Sequence, residues 1–502
     1  MSPNEVSRCF TCKKRQIKCD GALPTCQRCE RDGRDCRGYS NQLRIIQVEP
    51  ARAKALTCRR MQSVKTAVPR IKHIFSHNRD LWDLQDSTTY WNSAIIPTIY
   101  PAERPFSRPV LGSEVVAGVA LLPKVCLHFV ILAFRSTQAL RQHIDPRTQP
   151  DLWYHRGVGL RELPKHLEKA VADPDGVALV AVITLMVSDL LMPGGEWLSH
   201  LDATHRIIAM RGGISSCIRG MPGSWTLLLQ YFVVDTCTAT TCSAALLPED
   251  VVIEDLSGIP NIDEQLLNCA CACPLVLLQG LAQANALRSR RQRARRMLTQ
   301  GSPDTGAVLD LSGLLAIEAL VQSFDASEWA FKMAHIGITY PIPSDRIATA
   351  ASISALTSLA LCYKHAAMLF LQLSCNALED TRARLFVRDA ATNLRCEVNV
   401  LFEQATADVE GALQTQLWRF VSWPLVVLTY SIICWDIVSD ALPADSLDSD
   451  LARIQQIDTA RGHMHLLDAA KELKQIRTQK DANPGLLWTW DDGFPKRFAY
   501  AM

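Results

Sequence analysis

Six cysteines near the start of the chain constrain it more than any other feature, with the spacing Cys9-x2-Cys12-x6-Cys19-x6-Cys26-x2-Cys29-x6-Cys36. The pattern is one ligand set written twice in tandem. Two thiolates separated by two residues can grip a tetrahedral metal from a tight turn, and a third comes back after about two turns of helix. Three thiolates per half leave each of two metals one ligand short. The coordination closes if one thiolate from each half bridges both metals, so that six sulfurs satisfy two tetrahedra.

The same segment cannot fold without help. Residues 1–40 contain almost no large aliphatic side chain beyond Val6, Ile17 and Leu23. Metal coordination supplies what the missing core does not, on the order of 10 kcal/mol per structural zinc site. A disulfide knot is the competing reading, but it needs an oxidising compartment that nothing else in the sequence suggests.

The formal net charge of +2 conceals an asymmetry. Residues 1–79 carry 18 Lys+Arg against 6 Asp+Glu, whereas residues 80–502 carry 35 against 45. A basic head on an acidic body suits a polyanion-binding chain, because each cation laid on a phosphate releases condensed counterions. Between Arg52 and Arg79 there are eight basic residues, no acidic one and no run of apolar heptads. Residues 41–79 therefore read as a basic linker that can serve as an extra phosphate-binding arm.

No basic-then-apolar leader opens the chain, so secretion is not expected, and 18 cysteines then point to a reducing compartment. The apolar runs Val177–Val187 and Val421–Trp435 fall short of the roughly 18–20 residues of a membrane span. They read as buried core helices, and no membrane partner is expected.

The stretch from Cys9 to Cys29, CFTCKKRQIKCDGALPTCQRC, resembles the fungal binuclear zinc-cluster transcription factors. Pro24 matches the loop proline between the two halves of that cluster, and Asp20 and Gly33 match as well. The resemblance implies two structural Zn2+ ions, with Cys9 and Cys26 bridging, Cys12 and Cys19 completing one site, and Cys29 and Cys36 the other. It also implies double-stranded DNA as partner, a nuclear location and contact with the transcription machinery.

Lys13, Lys14, Arg15, Gln16 and Lys18 lie between the second and third cysteines, where the first helix of such a cluster meets the major groove. Lys and Arg there suit guanine O6 and N7. Members of the family read CGG triplets with a basic residue that falls at position 16. Here it is Gln16, which prefers adenine, so the resemblance implies short GC-rich, CGG-like sites with that triplet in question.

Residues 80–502 are expected to form a large all-α regulatory domain. Val115–Val130, Val177–Met192, Trp197–Arg211, Leu266–Met297, Ala348–Leu373, Ala390–Leu413 and Ala452–Ile476 are apolar at three- and four-residue intervals. Pro193-Gly194-Gly195 and Gly212-Gly213 read as helix stops. The run from Trp197 through His200-Leu201 to Arg211-Gly212-Gly213 is similar to a helix of the fungal-specific regulatory domain that often follows this cluster. Thr89-Tyr90-Trp91 and Tyr363-Lys364-His365-Ala366-Ala367 echo it more weakly.

Other clusters in the body read as structural. His200 and His205 diverge on a helix and are expected to be packing or surface residues. Cys269, Cys271 and Cys273 alternate, which on a helix separates Cys271 from the others, so they read as small hydrophobes. The arginines from Arg288 to Arg296 read as a solvated helix end, with a nuclear import signal as the alternative. Asp436, Asp440, Asp445, Asp448 and Asp450 read as an inter-helix loop, with an acidic activation segment as the alternative.

These features together predict a DNA-binding regulator of RNA polymerase II transcription, for example of a metabolic gene cluster, and not an enzyme. No phosphate-cradling glycine loop, nucleophile elbow or zinc-protease helix occurs. A small-molecule sensor or enzyme-like helical body carrying a DNA-binding head is the alternative. A homodimer and a small-molecule effector are further expected partners of the body.

Overall fold

The computed structural model describes residues 11–12, 15–19, 26–34, 79–96, 111–169, 176–192, 195–221, 225–248, 256, 259, 261–269, 271–299, 311–335, 350–375, 381–406, 417–443, 445–461, 465–483 and 489–494. Among them every regular element is a helix. The chain divides into two compact units, Met1–Thr66 and Ala67–Met502. In the first, the described residues include the short helix α1 (Gln27–Arg31), and Thr11 and Cys12 are helical as well.

The second unit opens with α2 (Arg79–Tyr90), whose Leu81, Leu84, Ser87 and Thr88 form one buried face at helical spacing. Next come α3 (Ser113–Ala120) and α4 (Lys124–Arg141). The expected single helix over Val115–Val130 is thus two. Pro123 has no N–H to continue the ladder, so the chain turns at Leu121 and Leu122 and restarts with Pro123 as the N-cap. Then follow α5 (Pro150–Leu167), α6 (Val177–Leu190), α7 (Trp197–Met210) and α8 (Trp225–Thr240).

The expected helix over Leu266–Met297 is also divided, into α9 (Ile262–Asn268) and α10 (Leu275–Thr299), with Pro274 at the junction. Cys269, Cys271 and Cys273 lie in that connection and not on a helix. After α11 (Ala326–His335) come α12 (Ala350–Cys375) and α13 (Thr381–Thr406), the latter starting earlier than the apolar periodicity suggested. Next come α14 (Ser422–Cys434), α15 (Ser446–Arg461) and α16 (His465–Ala482), the last two standing where one helix was expected over Ala452–Ile476, and a short helical turn, Trp490–Gly493, follows.

One continuous apolar core joins the helices from α4 onward, from Phe129 and Met186 through Leu287 and Leu359 to Phe494, while Leu84 of α2 packs with Leu127 and Ile131 of α4 in a smaller cluster. At its centre α12 packs against α10, α11, α13 and α14. Its segment Ile353–Cys375 is long and apolar enough to cross a membrane, yet 67% of the most apolar window is buried inside the protein, as a core helix requires. Every residue of α14 is buried, and Pro424 sits in its first turn, where no intrahelical N–H bond is lost.

The body ends on a pinned segment. Trp490 and Phe494 are fully buried. Trp490 Nε1 donates to Thr240 O at 2.7 Å, and Tyr430 Oη donates to Thr489 O at 3.1 Å. Arg288 donates to Ala239 O at 3.0 Å, Cys242 O at 2.7 Å and Asp491 Oδ1 at 2.8 Å. Buried arginine locks α10 to the chain's last described residues here. The reading of Arg288–Arg296 as a solvated helix end therefore fails at Arg288, while Arg290, Arg295 and Arg296 are exposed.

Candidate metal centre and nucleic-acid interface

The N-terminal unit gathers sulfur where a hydrophobic domain would gather carbon. Cys12, Cys26 and Cys29 are completely buried, with Ile17 and Cys19 packed against them. Cys26 is the N-cap of α1 and its Sγ accepts the Cys29 backbone N–H at 3.3 Å. Cys12 Sγ lies 3.7 Å from Cys26 Sγ and 3.8 Å from Cys29 Sγ. A disulfide would need about 2.05 Å. A tetrahedron with zinc–sulfur bonds of about 2.3 Å has an edge of about 3.8 Å, so the donor set and its spacing fit zinc. Cys9 and Cys36 lie outside the described residues, so one sulfur of each half is not part of this geometry. The resemblance assigns Cys12 and Cys29 to different ions, whereas the structure places their sulfurs in direct contact.

The tandem written in the cysteines recurs in the backbone. Ile17 N donates to Cys12 O at 3.1 Å, and Arg34 N donates to Cys29 O at 2.9 Å. Each bond spans five residues back and closes a helical turn after a left-handed residue, Gln16 at φ 57° and Gly33 at φ 60°. Glycine is the ordinary occupant of that position, because a Cβ there meets the following carbonyl. Gln16 accepts the strain and stands exposed at the end of the turn, as does Lys18.

Arg15 also has a partner within the unit. Its guanidinium pairs with Asp32 Oδ2 at 2.8 Å, across from one half of the unit to the other. The Arg15 hydrogen bond, aided by the charges of Arg15, Arg28 and Arg34, holds the Asp32 carboxyl below its ordinary range. Lys13 and Lys14 lie outside the described residues. Of the five expected DNA contacts, Gln16 and Lys18 are thus free at the surface and Arg15 braces the unit.

In the body, the histidines expected to be bland prove to be partnered. His200 is buried and its Nε2 lies 3.0 Å from Asp189 Oδ2. Arg156 reaches the same carboxylate from α5, with Nη2 at 2.9 Å from Oδ2. Burial raises the Asp189 carboxyl, but hydrogen bonds from His200 and Arg156 outweigh it and keep the group below its ordinary range. His205 meets Asp235 at 3.0 Å. These partners lie on α5, α6 and α8, so no pattern local to α7 could disclose them. The cysteines before α10 behave as small hydrophobes: burial pushes Cys269 up to about 12 and Cys273 well above its ordinary value, which keeps both protonated.

Residues 8–45 match the family described as the fungal Zn(2)-Cys(6) binuclear cluster domain, and residues 76–432 match the fungal specific transcription factor domain. The chain belongs to the fungal zinc-cluster transcription factors. A member of this family is a zinc-binding, DNA-binding transcription regulator and not an enzyme. Among curated relatives, the factor is 23% identical over 260 residues to a phomenoic acid biosynthesis cluster-specific transcriptional regulator of Leptosphaeria maculans, covering 48% of each chain. It is 54% identical over 33 residues, 7% of each chain, to white-opaque regulator 2 of Candida albicans. The factor thus matches about half the length of the first relative and a short segment of the second. No solved structure matches it.

Proposed function

We propose that this protein is a nuclear, sequence-specific regulator of RNA polymerase II transcription, dedicated to one metabolic gene cluster. Residues 1–40 bind DNA, residues 41–79 form a basic linker, and residues 80–502 form the regulatory body. The compact trio of Cys12, Cys26 and Cys29 in a strongly basic N-terminal unit is the observation that carries the DNA-binding reading. The cluster-specific function in the name of the Leptosphaeria relative supports the pathway assignment.

In this reading Cys9, Cys12, Cys19, Cys26, Cys29 and Cys36 hold two Zn2+ ions. The metals supply rigidity and no chemistry. Gln16 and Lys18 meet base edges, Lys13 and Lys14 meet phosphates or bases beside them, and Arg15 keeps the two halves in register while lending positive charge. The sites are short and GC-rich, with the base opposite Gln16 departing from CGG, since glutamine pairs best with adenine N6 and N7. Residues 41–79 lack the heptads of a coiled coil, so any homodimer forms through the body.

Selection of bound sequences from random DNA by the full-length protein, with zinc counted per chain, tests the reading. GC-rich half-sites and two thiolate-bound zinc ions are expected. Cys26→Ala should release more zinc than Cys29→Ala, because a bridging sulfur serves both ions. Equal losses would favour a trio sharing one ion, and enrichment of no sequence at all would overturn the function.

A further inference from the structure

The second half of α10 carries a charge arrangement that the fold leaves unneutralised. The helix holds six arginines and no aspartate or glutamate. Arg288 is engaged inside the protein with Asp491. Arg290 and Arg295 are exposed and Arg291 is half-buried. At about 100° of turn per residue these three share one side of the helix, with Arg291 and Arg295 stacked at i and i+4. Among the described residues, none of the three makes an ion pair. Like charges at i and i+4 repel, and no carboxylate on α10 offsets them.

Two ordinary explanations do not cover this arrangement. Cations favour a helix C-terminus, but the attraction fades beyond the last turn, which among the arginines of α10 holds only Arg296. A basic import signal has to be offered as an accessible strip of chain. Here Arg288, Ser289 and Ala294 are buried, and Ser289 Oγ donates to Pro248 O at 2.7 Å. The helix is therefore anchored along one side and presents a fixed arc of guanidinium groups on the other. Arg291 Nε is a buried nitrogen without a hydrogen-bond partner, so packing and not an acceptor on the body sets that side chain.

We propose that Arg290, Arg291 and Arg295 form a second phosphate-binding face, on the regulatory body, which contacts the DNA backbone beside the sequence that the zinc cluster reads. The proposal rests on the DNA-binding reading above. A guanidinium fork offers paired donors to phosphate oxygens, and a polyanion relieves the repulsion between Arg291 and Arg295 while releasing its own counterions. The body is acidic as a whole, with 35 Lys+Arg against 45 Asp+Glu over residues 80–502, so this face does not hold DNA by itself. Residues 41–79 join it covalently to the cluster, however, and once the cluster is bound the second contact becomes intramolecular and adds affinity. At up to ~3.3 Å per residue, that segment does not limit reach to flanking phosphates.

The test uses the full-length protein and two duplexes of about 12 and about 40 base pairs, both carrying the selected site at the centre. Replacing Arg290 and Arg295 together with glutamine should lower affinity for the long duplex by about 3–10-fold at low salt and make its salt slope shallower by up to about 2. The short duplex should bind unchanged, and Arg290→Lys with Arg295→Lys should keep the wild-type slope. Both arginines are exposed, so the variants are expected to fold, and circular dichroism checks that they do. Equal affinity of wild type and the glutamine variant for the long duplex overturns the proposal, as does an equal loss on both duplexes. Loss of nuclear accumulation with unchanged DNA affinity would assign the arginines to import instead. A wild type that binds neither duplex would overturn the DNA-binding reading itself, and this proposal with it.

Discussion

At the scale of single residues, Gln16 carries a structural cost beside the recognition role proposed for it. Its counterpart in the second half is Gly33, and both close a turn in the left-handed region. A non-glycine residue there costs about 1 kcal/mol. Gln16→Gly should therefore make the cluster harder to unfold by chelator, by about 1 kcal/mol, while relaxing base choice at one position of the selected DNA site. Competitive chelator titration and sequence selection read the two effects separately. An unchanged chelator midpoint would mean that the backbone there is not strained.

His365, in the middle of α12, titrates against stability. Burial, helped by the neighbouring Lys364 charge, lowers its pKa from 6.5 to about 4. The unfolded chain therefore binds a proton below about pH 6.5 that the folded chain refuses until about pH 4. Stability is fully present above that window and falls as the pH drops through it. After allowance for partial exposure, His365→Gln should recover on the order of 2 kcal/mol of that fall between pH 7 and pH 4. Urea unfolding across this range checks it, and parallel curves for wild type and variant would exclude His365 as a source.

At the scale of elements, the acidic stretch after α14 shows how helices are joined by charge. Asp450 on α15 is fully buried and bonded by both terminal guanidinium nitrogens of Arg395 from α13, with Arg453 beside it. Burial pushes the Asp450 carboxyl up to about 6, against the pull of the Arg395 and Arg453 charges. Arg395→Met strands a buried carboxylate and should cost about 3–5 kcal/mol, whereas Arg395→Met with Asp450→Leu should recover most of it. Thermal melts of the single and double variants measure this, and additive losses would show that the pair does not act as a unit. Asp436 and Asp448 likewise meet Lys480 and Arg477 of α16, each at 3.2 Å. Asp436, Asp448 and Asp450 thus stand on helices and not in the expected inter-helix loop, which holds only Asp440 and Asp445.

Helix boundaries divide along the same scale. Proline marks the breaks at Pro123 and Pro274, and both were visible as residues, yet the apolar periodicity ran straight through them. Gly195 ends a predicted stop for a reason only packing supplies: a Cβ there would sit 2.2 Å from the Asp189 carbonyl oxygen.

At the scale of the whole molecule, the basic segment and the acidic body call for different measurements. Arg59, Arg60 and Lys65 lie outside the described residues, and their role follows from charge alone. If they contact phosphates, replacing all three with glutamine should weaken binding to every DNA sequence alike. The slope of log K against log salt should become shallower by up to about 3. A filter-binding salt series on the full-length protein reads this directly, and an unchanged slope would exclude these three residues as phosphate contacts.

The sequence by itself determined the metal-dependent head, the all-helical body and the family, because each is written locally. Cysteine spacing dictates coordination, charge runs dictate attraction to phosphate, and apolar periodicity dictates which helix face is buried. Tertiary structure alone decided that Arg15 braces Asp32, that Arg288 is buried against the last described residues, and that His200 shares Asp189 with Arg156. It alone brought Asp80, Asp83, His128 and His155 together from three helices. A buried charge or imidazole must find its partner wherever the fold carries one, and partners on different helices leave no spacing in the chain to read.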